Sequence, residues 1–174
     1  NVLLTEGNSG NHIWRSTDAG LSWTDLGAKS VATQSTYLFW TGSLFVTKSS
    51  AGGAFVATSP DGATWTARAA TGSGNCGGSA VSPTKAMLFP KLGGTNALYS
   101  TDGGVSWSTV AMPAGMACQE NGALYAGGQF VALNPGVGAY YSADGATWSA
   151  ASMPTGTWLY LYWTGELYVA FSLS

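Results

Sequence analysis

Carboxylates are where this sequence could do chemistry, and it has eight: Glu6, Asp18, Asp25, Asp61, Asp102, Glu120, Asp144 and Glu166. A pair held about 5–10 Å apart across a glycosidic bond would supply the two groups of a glycoside hydrolase. Asp18, Asp61, Asp102 and Asp144 share one local setting, a serine two residues before and a glycine and a tryptophan close behind. A setting used four times predicts a turn rather than a reaction centre. Of the remaining carboxylates, Glu166 takes the turn position that Ser43 holds in a matching segment. Glu6 and Glu120 are then the two that could meet on the opposite face.

Other reaction centres are harder to assemble. The one histidine, His12, lies between a Gly-rich turn and a strand, with no second ligand at metal spacing. Cys76 and Cys118 each fall 24 residues before a repeated serine, Ser100 and Ser142. They therefore hold equivalent places in adjacent repeats and read as small buried residues near inner strands. A disulfide between them requires Cα atoms within about 7 Å. No C-x-x-C, phosphate-binding glycine motif or dinucleotide fingerprint occurs, so neither a cofactor nor a metal is implied. The six Lys and Arg residues are scattered in a chain of net charge −2, which leaves no footprint for nucleic acid. No apolar run reaches the roughly 18 residues that membrane insertion would need. The absence of an initiator Met and of a signal peptide suggests a mature fragment or one module of a longer protein.

The elements that would position these groups repeat. "YLFWTGSLFV" at 37–46 returns as "YLYWTGELYV" at 160–169, 123 residues later. Ser16–Trp23, "STDAGLSW", returns at Ser100–Trp107 as "STDGGVSW", and one-residue-shorter forms appear as "SPDGATW" (59–65) and "SADGATW" (142–148). Trp23, Trp65, Trp107 and Trp148 are spaced by 42, 42 and 41 residues, so the first pair of segments is one strand seen three repeats apart. Each full repeat reads as four short strands rich in β-branched and aromatic residues, bounded by Gly, Pro, Asn and Ser. A four-stranded unit of about 40–45 residues has the size of a β-propeller blade. The fold class is therefore all-β, a propeller of four repeats at approximately 1–28, 29–70, 71–112 and 113–153 in a single domain spanning 1–174. The tail, 154–174, reads as strands one and two of a blade and the N-terminus as strands two and three. Pairing the two ends would complete the first blade and close the ring, removing exposed edges. That assignment leaves one strand over, so a larger ring built from several chains or a longer parent stays open beside a four-bladed ring.

Within each turn the Asp can accept hydrogen bonds from turn N–H groups while Gly takes a positive φ. The Trp that follows can fill the space between neighbouring blades. Four copies of S-x-D-(x)-G-x-(S/T)-W at blade spacing resemble the Asp-box repeat of sialidase-like β-propellers, over nearly the whole chain. The resemblance implies that the box is a structural staple at the outer turn between strands three and four, away from any ligand site. It also implies what a sialidase would need: three arginines, a Tyr–Glu nucleophile pair and an acid/base Asp. Only Arg15 and Arg68 are present, and lysine does not replace the guanidinium fork. The chain is therefore expected not to be an enzyme, with a fragment of a sialidase-like or other glycosidase propeller as the alternative.

Binding is the remaining class. The loops and turns opposite the boxes hold Lys29, Arg68, Asn75, Gln119, Glu120, Asn121 and Asn134, with Trp158 at the edge. Of these, Arg68, Asn75, Gln119, Glu120, Asn121 and Trp158 are the candidate binding residues, since amides beside an aromatic platform suit a carbohydrate or a protein epitope. Trp40 and Trp163 read as core. Low charge and Gly/Ala/Ser/Thr richness, with the short boxes, resemble an extracellular or virion module such as a phage tail or fibre domain. Its partner would be a surface glycan or a protein, and it could be a homo-oligomer or part of a larger assembly. An assembly or scaffold factor is the third reading.

Overall fold

Among the described residues five antiparallel sheets follow one another along the chain, each made of strands consecutive in sequence. The computed structural model describes residues 2–6, 12–29, 31, 35–49, 55–70, 76–91, 94–119, 121–154 and 156–172. The first sheet holds β1 (Leu3–Glu6), β2 (His12–Ser16) and β3 (Thr24–Ala28). The second holds β4 (Ser35–Trp40), β5 (Phe45–Ser49), β6 (Phe55–Ser59) and β7 (Thr66–Ala69). The third holds β8 (Cys76–Val81), β9 (Ala86–Pro90), β10 (Asn96–Ser100) and β11 (Ser108–Ala111). The fourth holds β12 (Ala123–Ala126), β13 (Gln129–Asn134), β14 (Gly138–Ser142) and β15 (Ser149–Ala151), and the fifth β16 (Trp158–Trp163) and β17 (Tyr168–Ser172). No helix occurs among the described residues, and none long and apolar enough to cross a membrane.

One register repeats through the sheets. The box serines Ser16, Ser59, Ser100 and Ser142 pair with Leu3, Phe45, Ala86 and Phe130. Because strand side chains alternate between faces, each residue after those partners points to the opposite side. Phe45, Ala86 and Phe130 lean on the preceding sheet, whereas Val46 and Met87 lean on the following one. The core is thus a series of seams. Ile13, Phe45, Ala57 and Trp65 join the first two sheets. Val46, Val56, Leu88, Leu98 and Trp107 join the next pair. Met87, Phe89, Phe130 and Ala132 join the third and fourth, and Val131, Leu133 and Leu161 the last two.

The ends depart from expectation. The last hairpin and the first sheet are separate sheets among the described residues, so the two terminal segments do not pair to complete a blade. Among the described residues three sheets, not four, have four strands. The hairpin itself forms as expected, Thr164 N–H donating to Leu167 O at 3.0 Å as Thr41 N–H does to Leu44 O, but a partner for its outer edge would have to come from the far end of the chain. Closing a short hairpin costs far less chain entropy than joining segments about 150 residues apart.

Candidate functional site

The four boxes are built alike. In the long form, Ser100 Oγ donates to Asp102 Oδ1 at 2.7 Å and accepts Gly104 N–H at 2.8 Å. Asp102 also accepts the N–H groups of Val105 and Ser106 and the Ser106 hydroxyl. Trp107 Nε1 then donates to Gly104 O at 2.9 Å. Asp18 repeats this with Ser16 and Ser22, and Trp23 Nε1 donates to Gly20 O at 3.1 Å. In the short form, Asp61 accepts Ala63 and Thr64 N–H, and Trp65 Nε1 donates to Gly62 O at 2.8 Å. Asp144 accepts Ala146 and Thr147 N–H in the same way. Trp148 is the exception: its Nε1 is buried without a partner among the described residues, and its ring meets Phe89 edge-on at 5.5 Å.

These bonds favour the ionised carboxylate. The Ser22 hydroxyl and N–H hold Asp18 at a pKa of about 2, and the Ser106 hydroxyl and N–H do the same for Asp102. The Thr147 and Ala146 N–H groups hold Asp144 at about 2, and the Thr64 and Ala63 N–H groups lower Asp61. Such groups are poor proton carriers at neutral pH. The box carbonyls meanwhile accept from the preceding sheet: Asp61 O from Arg15 Nη1 at 3.3 Å, Gly103 O from Thr41 Oγ1 at 2.7 Å, Asp144 O from Lys85 Nζ. Arg15 is thereby part of a seam.

Two further carboxylates are also paired. Glu6 accepts Lys29 Nζ at 2.5 Å and Thr47 Oγ1 at 2.9 Å. Lys29, expected in a polar loop, is buried and lies 5.9 Å from the Trp65 ring centre. Asp25 takes the His12 Nδ1 contact at 2.8 Å and Gly27 N–H, which lower its pKa, the histidine first. Glu166 sits at the exposed turn between β16 and β17, and Glu120 lies outside the described residues. Among the described residues no cluster of three metal-ligating His, Cys, Asp or Glu side chains occurs. Cys76 and Cys118 are both buried free thiols. Burial raises the pKa of each; a nearby Lys48 opposes the shift at Cys76, and Cys76 reinforces it at Cys118. Lys48 is fully buried, which nothing in its strand pattern distinguished from an outward-facing lysine.

The candidate binding residues divide between two places. Gln119 and Asn121 precede β12 at its seam with β16, where Leu161 N–H donates to Asn121 O at 2.9 Å. Trp158 opens β16, donates Nε1 to Pro154 O at 3.0 Å and packs partly into the seam with the fourth sheet. Gln119 and Trp158 are half-buried and Asn121 is exposed. Arg68 lies instead on β7 in the second sheet, with Nε donating to Thr58 Oγ1 at 2.8 Å. Asn75 and Glu120 fall outside the described residues. Asn134, named with the loops, is buried and donates to Gly115 O at 3.0 Å. Trp40 is exposed at 45 %, its ring tilted against Phe45 at 4.6 Å, rather than in the core.

No protein-family model matches the sequence, and no curated protein does. Solved structures do. YCF48 bound to a D1 peptide matches with TM-score 0.66 and 13 % identity over 92 % of this chain and 54 % of that one. The GH74 enzyme of Niastella koreensis matches with TM-score 0.56 and 20 % identity over 86 % of this chain and 22 % of that one. YCF48 from Cyanidioschyzon merolae matches with TM-score 0.53 and 12 % identity over 97 % and 76 %. The chain spans about half the length of the first of these. At such identities the likeness is one of fold: the sheets of this chain are stacked like the blades of a β-propeller.

Proposed function

We propose that this protein is a non-catalytic recognition module whose loop face binds a protein segment. The observation that carries this reading is the commitment of the carboxylates. Six of the eight acidic residues are tied up inside the fold, four in boxes, Glu6 with Lys29 and Asp25 with His12. A glycosidase would need two of them facing one cleft. The likeness to a propeller bound to a peptide supports a protein partner. Gln119 and Asn121, across a seam from the strand that Trp158 opens, offer amide donors and acceptors with an aromatic flank, a composition suited to an extended peptide. An extracellular or virion-associated setting, phage tail or fibre included, suits the low charge and small-residue composition. An assembly or scaffold role would use the same face.

Peptide and glycan arrays, probed with the purified chain and followed by a hydrolysis assay on a β-glucan, test this. Binding to peptides without turnover is expected. The double variant Gln119→Ala/Asn121→Gly should weaken it roughly tenfold, the equivalent of about 1.4 kcal/mol. Asn121 has φ 60°, so glycine fits there without strain. Hydrolysis of the glucan, or binding confined to glycans, would overturn the reading.

A further inference from the structure

The two ends of the sheet series expose complementary halves of one interface. In the fifth sheet, Tyr160, Tyr162, Val169 and Phe171 line an open apolar trough together with Thr164. Tyr162 and Phe171 are 53 % and 52 % exposed and meet edge-on at 5.7 Å. By register, Val169 stands where Val46, Met87 and Val131 stand, and Phe171 where Lys48, Phe89 and Leu133 stand. All six of those are buried. What covers these positions inside the chain is the next sheet.

The first sheet shows the other half. Leu3 and Trp14 point away from the second sheet, and Trp23 is 41 % exposed. The residues in register with Leu3, namely Phe45, Ala86 and Phe130, are buried against a preceding sheet. Likewise Trp65 and Trp107 are each only 6 % exposed, because each packs on the sheet before its own.

The seam between the second and third sheets shows how the two halves fit. There Tyr37, Phe39 and Val46 receive Leu98 and Trp107, and Thr41 Oγ1 donates to Gly103 O. The second and fifth sheets alone carry the "WTG" turn, and the first and third alone carry the long box. Tyr160, Tyr162, Thr164 and Val169 repeat Tyr37, Phe39, Thr41 and Val46. Ala19, at φ 60°, repeats Gly103, at φ 72°. The fifth sheet is therefore shaped for a long-box sheet, and the long-box sheet with an uncovered face is the first. Both faces stay exposed within one molecule, so neither covers the other.

We infer that copies of this chain associate head to tail, the fifth sheet of one stacking on the first sheet of the next. Tyr160, Tyr162, Val169 and Phe171 then receive Trp23, Trp14 and Leu3 of the next copy, and the Thr164 hydroxyl donates to its Ala19 carbonyl. The contact is heterologous, so it extends from copy to copy until rotation closes a ring or a filament grows.

Light scattering across a concentration series, with two blocked variants, tests this. Leu3→Asp spoils the first-sheet face and Phe171→Asp the fifth-sheet face, both at exposed positions. The unaltered chain should exceed its 17.8 kDa mass as concentration rises, and each variant alone should lose every species above that mass. An equimolar mixture retains one intact face of each kind and should form a one-to-one dimer that grows no further. Trp14→Glu and Tyr162→Asp repeat the experiment if circular dichroism shows a first-choice variant unfolded. An unaltered chain that stays monomeric up to millimolar concentration would overturn the inference. So would one variant that still dimerises alone, the mark of a face pairing with itself, or a mixture that stays monomeric.

Discussion

Ser100 shows how much a box depends on one hydroxyl. Buried at 2 % exposure, it donates to Asp102 and accepts Gly104 N–H. Ser100→Ala leaves that buried N–H unpaired, so a loss of about 1–3 kcal/mol is expected in urea unfolding, with the strands otherwise intact. The aspartates set a pH signature. They protonate near 3.9 in an unfolded chain, whereas Asp18, Asp102 and Asp144 in the fold have pKa values of about 2. A lowered folded pKa stabilises fully above the unfolded value and is lost as pH falls through the folded one. The urea midpoint should hold steady down to about pH 5 and drop between about pH 4 and 2. Asp102→Asn should make that drop shallower while lowering the midpoint at pH 7.

Elements meet most closely where β8 passes the segment before β12. A β-carbon on Gly77 would sit 1.5 Å from Cys118 O, and one on Gly78 2.8 Å from Cys118 Sγ. Gly77→Ala therefore forces two backbones apart, and we expect a loss of about 1–3 kcal/mol or more in urea unfolding. Gly115→Ala meets no atom but has φ 75°, so its cost should come from backbone strain alone. The strands and turns were legible because short runs of apolar and aromatic residues bounded by turn formers act locally, as box residues do: "HIWRS", "AMLFP" and "QFVALN" form strands on their own account. The pairing of the ends was not legible, since "YLYWTGELYV" makes the same hairpin whether or not its outer edge meets a distant strand. Nor could sequence show that Lys29 and Glu6 meet, because separated polar residues look like surface until a seam buries them. Of the candidate residues, the position of Gln119 and Asn121 in a loop before a strand was readable. The half-buried seat of Trp158 was not, because it depends on a neighbouring sheet.

At the scale of the molecule, Trp65, Trp107 and Trp148 are each seated on the sheet before their own, and every seam joins sequence neighbours. Phe89, buried at the seam of the third and fourth sheets, tests how far damage travels. Phe89→Ala should cost about 3–5 kcal/mol, and two separated unfolding transitions are expected in calorimetry if the halves then melt independently. Stability in such a series is close to a sum of intrinsic and nearest-neighbour terms. Because a tryptophan always reaches backwards, the series has a direction. Amide hydrogen exchange should therefore record a profile along the chain, slowest in β9 and β10, which are covered from both sides, and quickening towards β1 and β17. Fraying at those two ends would be unequal. The last hairpin can peel away without taking any box tryptophan with it, whereas loosening the second sheet withdraws Trp65 from the first.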